Sequence, residues 1–148
     1  MHSFELKTVI AATPSRVFAV ITEPRDIVKW DYCRWVQNDC RLGGKVRKRD
    51  EEGRLFESEI IAFDPPFRLG LLSTVLVNSE DEDEGRFPVR IEYHIDSHEN
   101  QSTLTLRMEG FPSEELAERE RNSWGGYFIE KLKKVAEQPL KQPVKEQP

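Results

Sequence analysis

Arg41-Leu42-Gly43-Gly44-Lys45-Val46-Arg47 sets two extended stretches on either side of paired glycines, and the fold is read outward from that turn. Glycine supplies the positive φ values that a tight turn requires. Trp35 to Leu42 and Lys45 to Asp50 are therefore expected as adjacent strands. Further on, Phe63-Asp64-Pro65-Pro66-Phe67-Arg68-Leu69 closes a strand that begins at Leu55, because neither proline donates to a ladder. Phe67 to Val77 resumes the β pattern.

Strict alternation marks three more strands. Val89, Ile91, Tyr93 and Ile95 interleave with Arg90, Glu92, His94 and Asp96, a strand wet on one face. Leu104, Leu106 and Met108 repeat the pattern, and Phe4, Leu6, Thr8 and Ile10 show it at the start of the chain. Between the first strand and Trp35 lie two helix starts. Thr13-Pro14 places proline at a first helical position, where its missing N–H costs nothing, and Thr22 followed by Pro24 stops that helix and opens a second. After Gly110-Phe111-Pro112, Ser113 caps a last helix with Glu114 and Glu115 in its first turn. Trp124, Phe128, Leu132 and Val135 form one stripe along it. The order predicts an α+β fold: a curved antiparallel sheet of about six to seven strands wrapped around a long C-terminal helix, with two short helices after strand one. Such a design leaves a cavity between sheet and helix.

The chain has 148 residues, with 37% hydrophobic and 33% charged side chains and a net charge of −5. One domain over residues 1–137 accounts for the patterned sequence. Residues 138–148 lack periodicity and are expected to be a disordered tail, and the acidic run Ser79 to Gly85 a mobile loop. The negative balance argues against nucleic acid and anionic membranes as partners. No apolar run reaches the ~20 residues of a membrane span. Cys33 and Cys40 make no disulfide framework, no Cys/His spacing suggests zinc, and a cytoplasmic location is the simplest reading.

Three groups of residues are candidates for chemistry. Trp124, Tyr127 and Phe128 line a pocket beside Tyr93 and Met108, or simply pack the core. Trp30-Asp31-Tyr32-Cys33-Arg34-Trp35 forms the mouth of a cavity, or a lid over the core. Arg47 and Arg49 share one strand face, and Glu57 and Glu59 share a face of the next. Pointing inward, they would hold a polar ligand or run acid–base chemistry; pointing outward, they form an ion-pair ladder. The basic run Lys45, Arg47, Lys48, Arg49 is bounded by Asp50, Glu51 and Glu52, so it reads as a solvated face. Gly44-Lys45 fails as a phosphate loop, since Asp39 stands where the first glycine belongs and Val46 where the hydroxyl does. His94 and His98 have no nucleophile motif to serve. Gly125-Gly126, mid-helix, each cost about 1 kcal/mol relative to alanine. Their presence asks for close backbone approach or a break between two helical segments.

Ala12-Thr13-Pro14-Ser15-Arg16-Val17-Phe18, Thr22-Glu23-Pro24 with Trp30, the Gly43-Gly44 turn, the Pro65-Pro66 turn and Trp124 occur here in one order. In that order they resemble the START-like, or SRPBCC, helix-grip superfamily. Within it the chain looks most like the single-domain branch named after the activator of heat-shock-protein ATPase. The resemblance covers roughly residues 4 to 137 and implies a deep, largely apolar cavity. It carries no fixed catalytic set, so it transfers shape more than chemistry. No separate N-terminal chaperone-binding domain is read, which argues away from an ATPase-activator role. The expected function is binding of a small hydrophobic or amphipathic molecule, lipid- or polyketide-like, through Trp30, Trp35, Glu59, Tyr93, Met108, Trp124 and Phe128. No catalytic residue, metal or cofactor is assigned. The alternatives are a cyclase or hydrolase using Glu59, Arg47 or Tyr93, and a protein-interaction domain with a chaperone or other protein as partner.

Overall fold

The computed structural model describes residues 1–76 and 86–139; the acidic run and the last nine residues of the expected tail lie outside them. Strand β1 (His2–Ile10) is followed by helices α1 (Pro14–Thr22) and α2 (Pro24–Trp30). Strands β2 (Trp35–Asn38), β3 (Lys45–Arg49), β4 (Leu55–Asp64), β5 (Arg68–Leu76), β6 (Arg86–His98) and β7 (Gln101–Phe111) come next. The chain then runs through α3 (Glu114–Ser123), a π-helical turn (Trp124–Phe128) and α4 (Ile129–Glu137). The strands form one antiparallel sheet in the order β1-β7-β6-β5-β4-β3-β2. This is the expected curved sheet, helix-grip architecture.

Because β1 and β2 occupy opposite edges of the sheet, the chain must travel across it between them. The two short helices make that crossing. α1 rests on β6 and β7, and both α1 and α2 touch α4. Each starts as the sequence dictates: Pro14 and Pro24 open the two helices, and the Thr13 hydroxyl accepts from the Arg16 N–H at 3.2 Å. The Ser113 hydroxyl caps α3, accepting from the Leu116 N–H at 3.1 Å.

Strand β2 stops four residues earlier than expected, at Asn38. The Asp39 carboxylate accepts from the Lys45 N–H at 2.8 Å and from Gln37 Nε2 at 2.7 Å. Those bonds wind residues 39–44 into a turn in place of ladder pairing. Gly44 closes it: a Cβ there would stand 2.6 Å from Asp39 Cβ.

Alternation sorts the sheet's two faces as the pattern predicts. Val89, Ile91, Tyr93 and Ile95 of β6 and Leu104, Leu106 and Met108 of β7 are buried on the helix side. They meet Leu132 and Val135 of α4 and Trp124 of the π turn in one core. On the outer face, Arg47 Nε donates to Glu57 at 2.9 Å, one rung of the ladder weighed from the sequence, and Arg68 donates to Glu92 at 3.0 Å. Exposed pairs of this kind contribute at most ~1 kcal/mol each.

The terminal helix is not uniform. The long C-terminal helix expected from the sequence is present, and within it the segment Trp124–Phe128 takes the wider π winding. Gly125 meets only the Leu6 methyls, at 3.7 and 3.8 Å, and Gly126 has nothing within 4 Å of a would-be Cβ. Close approach to the sheet is therefore not what the glycines serve. They sit at the junction of two helical segments, the other explanation their cost required.

Candidate functional site

The cavity lies between the helix side of strands β3 to β7 and the terminal helix, with a volume of about 330 Å³. Its apolar wall is Val46, Phe56, Ile91, Met108, Trp124 and Phe128. Its polar wall comes from the loop after α2, from β3 and from α3.

Parity along each strand explains who faces in. Val46 is buried on β3, so Lys48, two residues on, faces the same way. The basic run read as a solvated face therefore splits: Arg47 reaches the outer ladder, and Lys48 enters the cavity wall. There its ammonium donates to Asp31 Oδ2, while Asp31 Oδ1 accepts from the Tyr32 N–H at 2.8 Å. Burial works to lower the Lys48 pKa, but the Asp31 charge and hydrogen bond outweigh it and leave the pKa raised. Ser58 on β4 and Ser73 on β5, partners in the ladder, bring their hydroxyls to 2.8 Å of each other inside the cavity. At the rim, Arg54 Nε donates to Asp50 Oδ2 at 2.7 Å.

Glu120 of α3 completes the lining. It is half-buried, and burial raises its pKa, with Arg119 opposing only in part. Among the described residues its carboxylate has no hydrogen-bond or ion-pair partner, whereas Asp31 has Lys48 and Asp50 has Arg54. Cys33 also faces the cavity, with its thiol pushed up to about 11 by burial and then by Asp31. A thiol so protonated is a poor nucleophile.

The sequence candidates separate into three sets. Met108, Trp124 and Phe128 line the cavity directly. Trp30 and Tyr93 stand behind it. Trp30 is 2% exposed, donates its indole N–H to the Val20 carbonyl at 2.8 Å and packs its ring 6.1 Å from that of Trp124. Tyr93 is buried, and desolvation followed by the Asp31 charge raises its phenol pKa. Trp35 and Glu59 are elsewhere. Val36 takes the inward position on β2, which turns Trp35 out to 43% exposure, and Glu59 alternates outward between buried Ser58 and Ile60. The supposed acid–base group of Glu59, Arg47 and Tyr93 is thus divided between the two faces of the sheet. Of the mouth hexapeptide, Asp31, Tyr32 and Cys33 reach the cavity.

Sequence reading passed over Lys48, Ser58, Ser73 and Glu120. The signal for Lys48 and Ser58 was their even spacing from Val46 and Ile60. For Glu120 it was the aromatic stripe itself, since one further step of four back from Trp124 lands on it.

A second depression, of about 430 Å³, lies on the outer face among Glu5, Lys7, Asp64, Phe67, Arg68 and His94. Its walls are mostly charged, with Arg68 and His94 both engaged by Glu92, and it lacks the aromatic wall of the inner cavity. Among the described residues no three His, Cys, Asp or Glu side chains converge as metal ligands. Nor is any described helix long and apolar enough to cross a membrane.

An antiparallel sheet gripping a terminal helix over a partly aromatic cavity defines a START-like, helix-grip protein. Residues 11–137 match the family model of Activator of Hsp90 ATPase homolog 1-like proteins, and the chain belongs to that family. Three solved structures illustrate the shared fold. Protein MLL2253 from Mesorhizobium loti superposes with a TM-score of 0.77 at 15% identity, covering 90% of this chain and 96% of its own. An HSP90 activator from Plasmodium falciparum gives 0.72 at 19% identity, covering 95% and 100%. DynU16, a putative protein in the dynemicin biosynthetic locus, gives 0.73 at 13% identity, covering 97% of this chain and 58% of its own. No curated protein sequence matches the chain.

Proposed function

We propose that this protein binds a small hydrophobic or amphipathic molecule, lipid- or polyketide-like, in the cavity between its sheet and terminal helix. The observation that carries the reading is the 330 Å³ space walled by Trp124, Phe128, Met108, Ile91 and Phe56. That volume falls at the lower end of the ~300–1,000 Å³ range of small-molecule sites. Trp30 and Tyr93 act as the rigid backing of the wall, and neither Trp35 nor Glu59 takes part. Among the described lining residues Lys48 pairs with Asp31 and Arg54 with Asp50, the Cys33 thiol is held protonated, and the unpaired Glu120 carboxylate has no nucleophile motif to serve, which supports binding over catalysis. The free thiols Cys33 and Cys40 fit a cytoplasmic location for such a protein.

A thermal-shift panel of lipids, sterols, flavonoids and polyketides tests the proposal. A ligand at a hundred times its Kd adds ~2.7 kcal/mol to stability, which in a domain of this size raises Tm by about 5–10 °C. A panel that leaves Tm unmoved throughout sinks it.

The family gives one reason to hold a second reading, a protein-interaction domain with a chaperone partner. Purified Hsp90 and this chain, run together by analytical ultracentrifugation, decide it: co-sedimentation supports the reading, and independent boundaries dispose of it.

A further inference from the structure

We infer that the ligand of the inner cavity carries a cationic, hydrogen-bond-donating end, an amine on an apolar body, which Glu120 receives beside Trp124 and Phe128. The inference rests on the binding reading above and adds the charge of the ligand to it.

Charge pairing within the lining leads to this choice. Lys48 is neutralised by Asp31 and Arg54 by Asp50, leaving the Glu120 carboxylate as the lining charge without a counter-ion among the described residues. An anionic headgroup would have to break one of those pairs to find a cation, and would then face three carboxylates. A cation meets a free carboxylate at once. Burial already raises the Glu120 pKa, so the empty site holds that charge at a cost, which an ammonium would relieve.

Geometry adds to the charge argument. Glu120, Trp124 and Phe128 follow steps of four along the helix and all face the cavity. The Trp124 and Phe128 rings lie 5.1 Å apart, centroid to centroid. An ammonium held by the carboxylate sits next to aromatic surface, where ring quadrupoles attract it. The opposite wall offers the Ser58–Ser73 hydroxyl pair at 2.8 Å, a neutral group that adds no competing charge. At 330 Å³ the cavity equals about ten waters of liquid volume. The occupant is accordingly small, about the size of an eight-carbon chain with one head.

Octylamine, octanol and octanoate differ only at that head and serve as probes. Their binding to the full chain is measured at pH 7 by calorimetry and by tryptophan fluorescence, with wild type and Glu120→Gln. Octylamine is expected to bind ~10-fold or more tightly than octanoate, the discrimination of one charge-assisted hydrogen bond. Glu120→Gln is expected to remove most of that preference while changing octanol affinity less than about threefold. Octanoate binding as tightly as octylamine, or octylamine affinity unmoved in Glu120→Gln, overturns the inference and leaves the binding reading standing. If none of the three binds, the inference falls, and the thermal-shift panel decides the binding reading by itself.

Discussion

Lys48 on β3 donates its ammonium to Asp31, at the end of α2, and so ties the sheet to the mouth of the cavity. Their side chains are 27% and 15% exposed, enough burial for the pair to matter. Removing the cation strands a carboxylate whose field already reaches Tyr93 and Cys33. Lys48→Met is expected to cost about 1–3 kcal/mol in urea unfolding, the penalty of an unpaired half-buried charge. Asp31→Asn with Lys48→Met together should cost less than the two singles summed, with a coupling of at least ~0.5 kcal/mol. Additive losses would show that the two side chains do not support each other.

The same corner makes the protein sensitive to alkali. Cys33 has its thiol raised from 9.0 to about 11, by burial first and then by Asp31 and Glu51 against the opposing Lys48. The folded state therefore keeps a proton that the unfolded state releases, and stability falls as pH climbs from about 9 to about 11. Raised pKa values for Lys48 and Tyr93 act in the same direction at higher pH. Denaturant titrations at steps from pH 8 to pH 11 should show a declining free energy, with a shallower decline in Cys33→Ala. Equal slopes for the two proteins would remove Cys33 from the account.

Two glycines should respond to alanine in opposite directions. At Gly44 the new Cβ would meet Asp39 Cβ at 2.6 Å and the Arg41 carbonyl at 3.1 Å, and Asp39 holds the turn through Lys45 and Gln37. Gly44→Ala is expected to destabilise by about 1–3 kcal/mol. At Gly126 a new Cβ would meet nothing within 4 Å beyond the helix's own backbone among the described residues, so Gly126→Ala should gain about 0.4–1 kcal/mol by restricting the unfolded chain. Thermal unfolding separates the cases by sign. A loss of Tm in Gly126→Ala would mean that the π winding itself requires glycine.

Much of the architecture was legible because period and punctuation agreed. Val89 to Ile95 and Leu104 to Met108 carry a bare period of two, and Thr13-Pro14 and Ser113 are helix starts with a mechanism. Two features escaped because a local bond competed with the pattern. Arg41 and Leu42 look extended, but the Asp39 side chain diverts the backbone first. The π turn preserves the four-residue stripe from Trp124 to Phe128, so its wider winding leaves no trace in the periodicity. In the cavity, aromatic character favoured Trp35, and charge favoured Glu59. Strand parity, which is stronger than either, places both on the outside. Lys48 and Glu120 were hidden for the converse reason, as charged residues at inward positions of otherwise apolar rows.

The two halves of the terminal helix are held unequally, and hydrogen exchange should register it. α4 buries Ile129, Leu132, Val135 and Ala136, while α3 buries Ala117 alone. Polar anchors widen the difference. Arg16 Nη2 donates to the Val135 carbonyl at 3.3 Å while its Nη1 pairs with buried Asp26 at 3.2 Å, and Glu137 accepts from the Ala11 N–H at 2.8 Å. Local opening free energy follows buried contact, so α3 amides should exchange at least ~10-fold faster than those of α4. The step should fall within Trp124–Phe128. Arg16→Met, which also leaves Asp26 with only Lys29 at 3.7 Å among the described residues, should lower protection in α4 and leave α3 nearly unchanged. A cavity entered by lifting α3 away from the sheet would in addition give slower exchange in α3 once ligand is bound. Uniform protection from Glu114 to Glu137 would instead mean that the helix opens as one unit, and that access to Trp124 and Phe128 does not run through its first half.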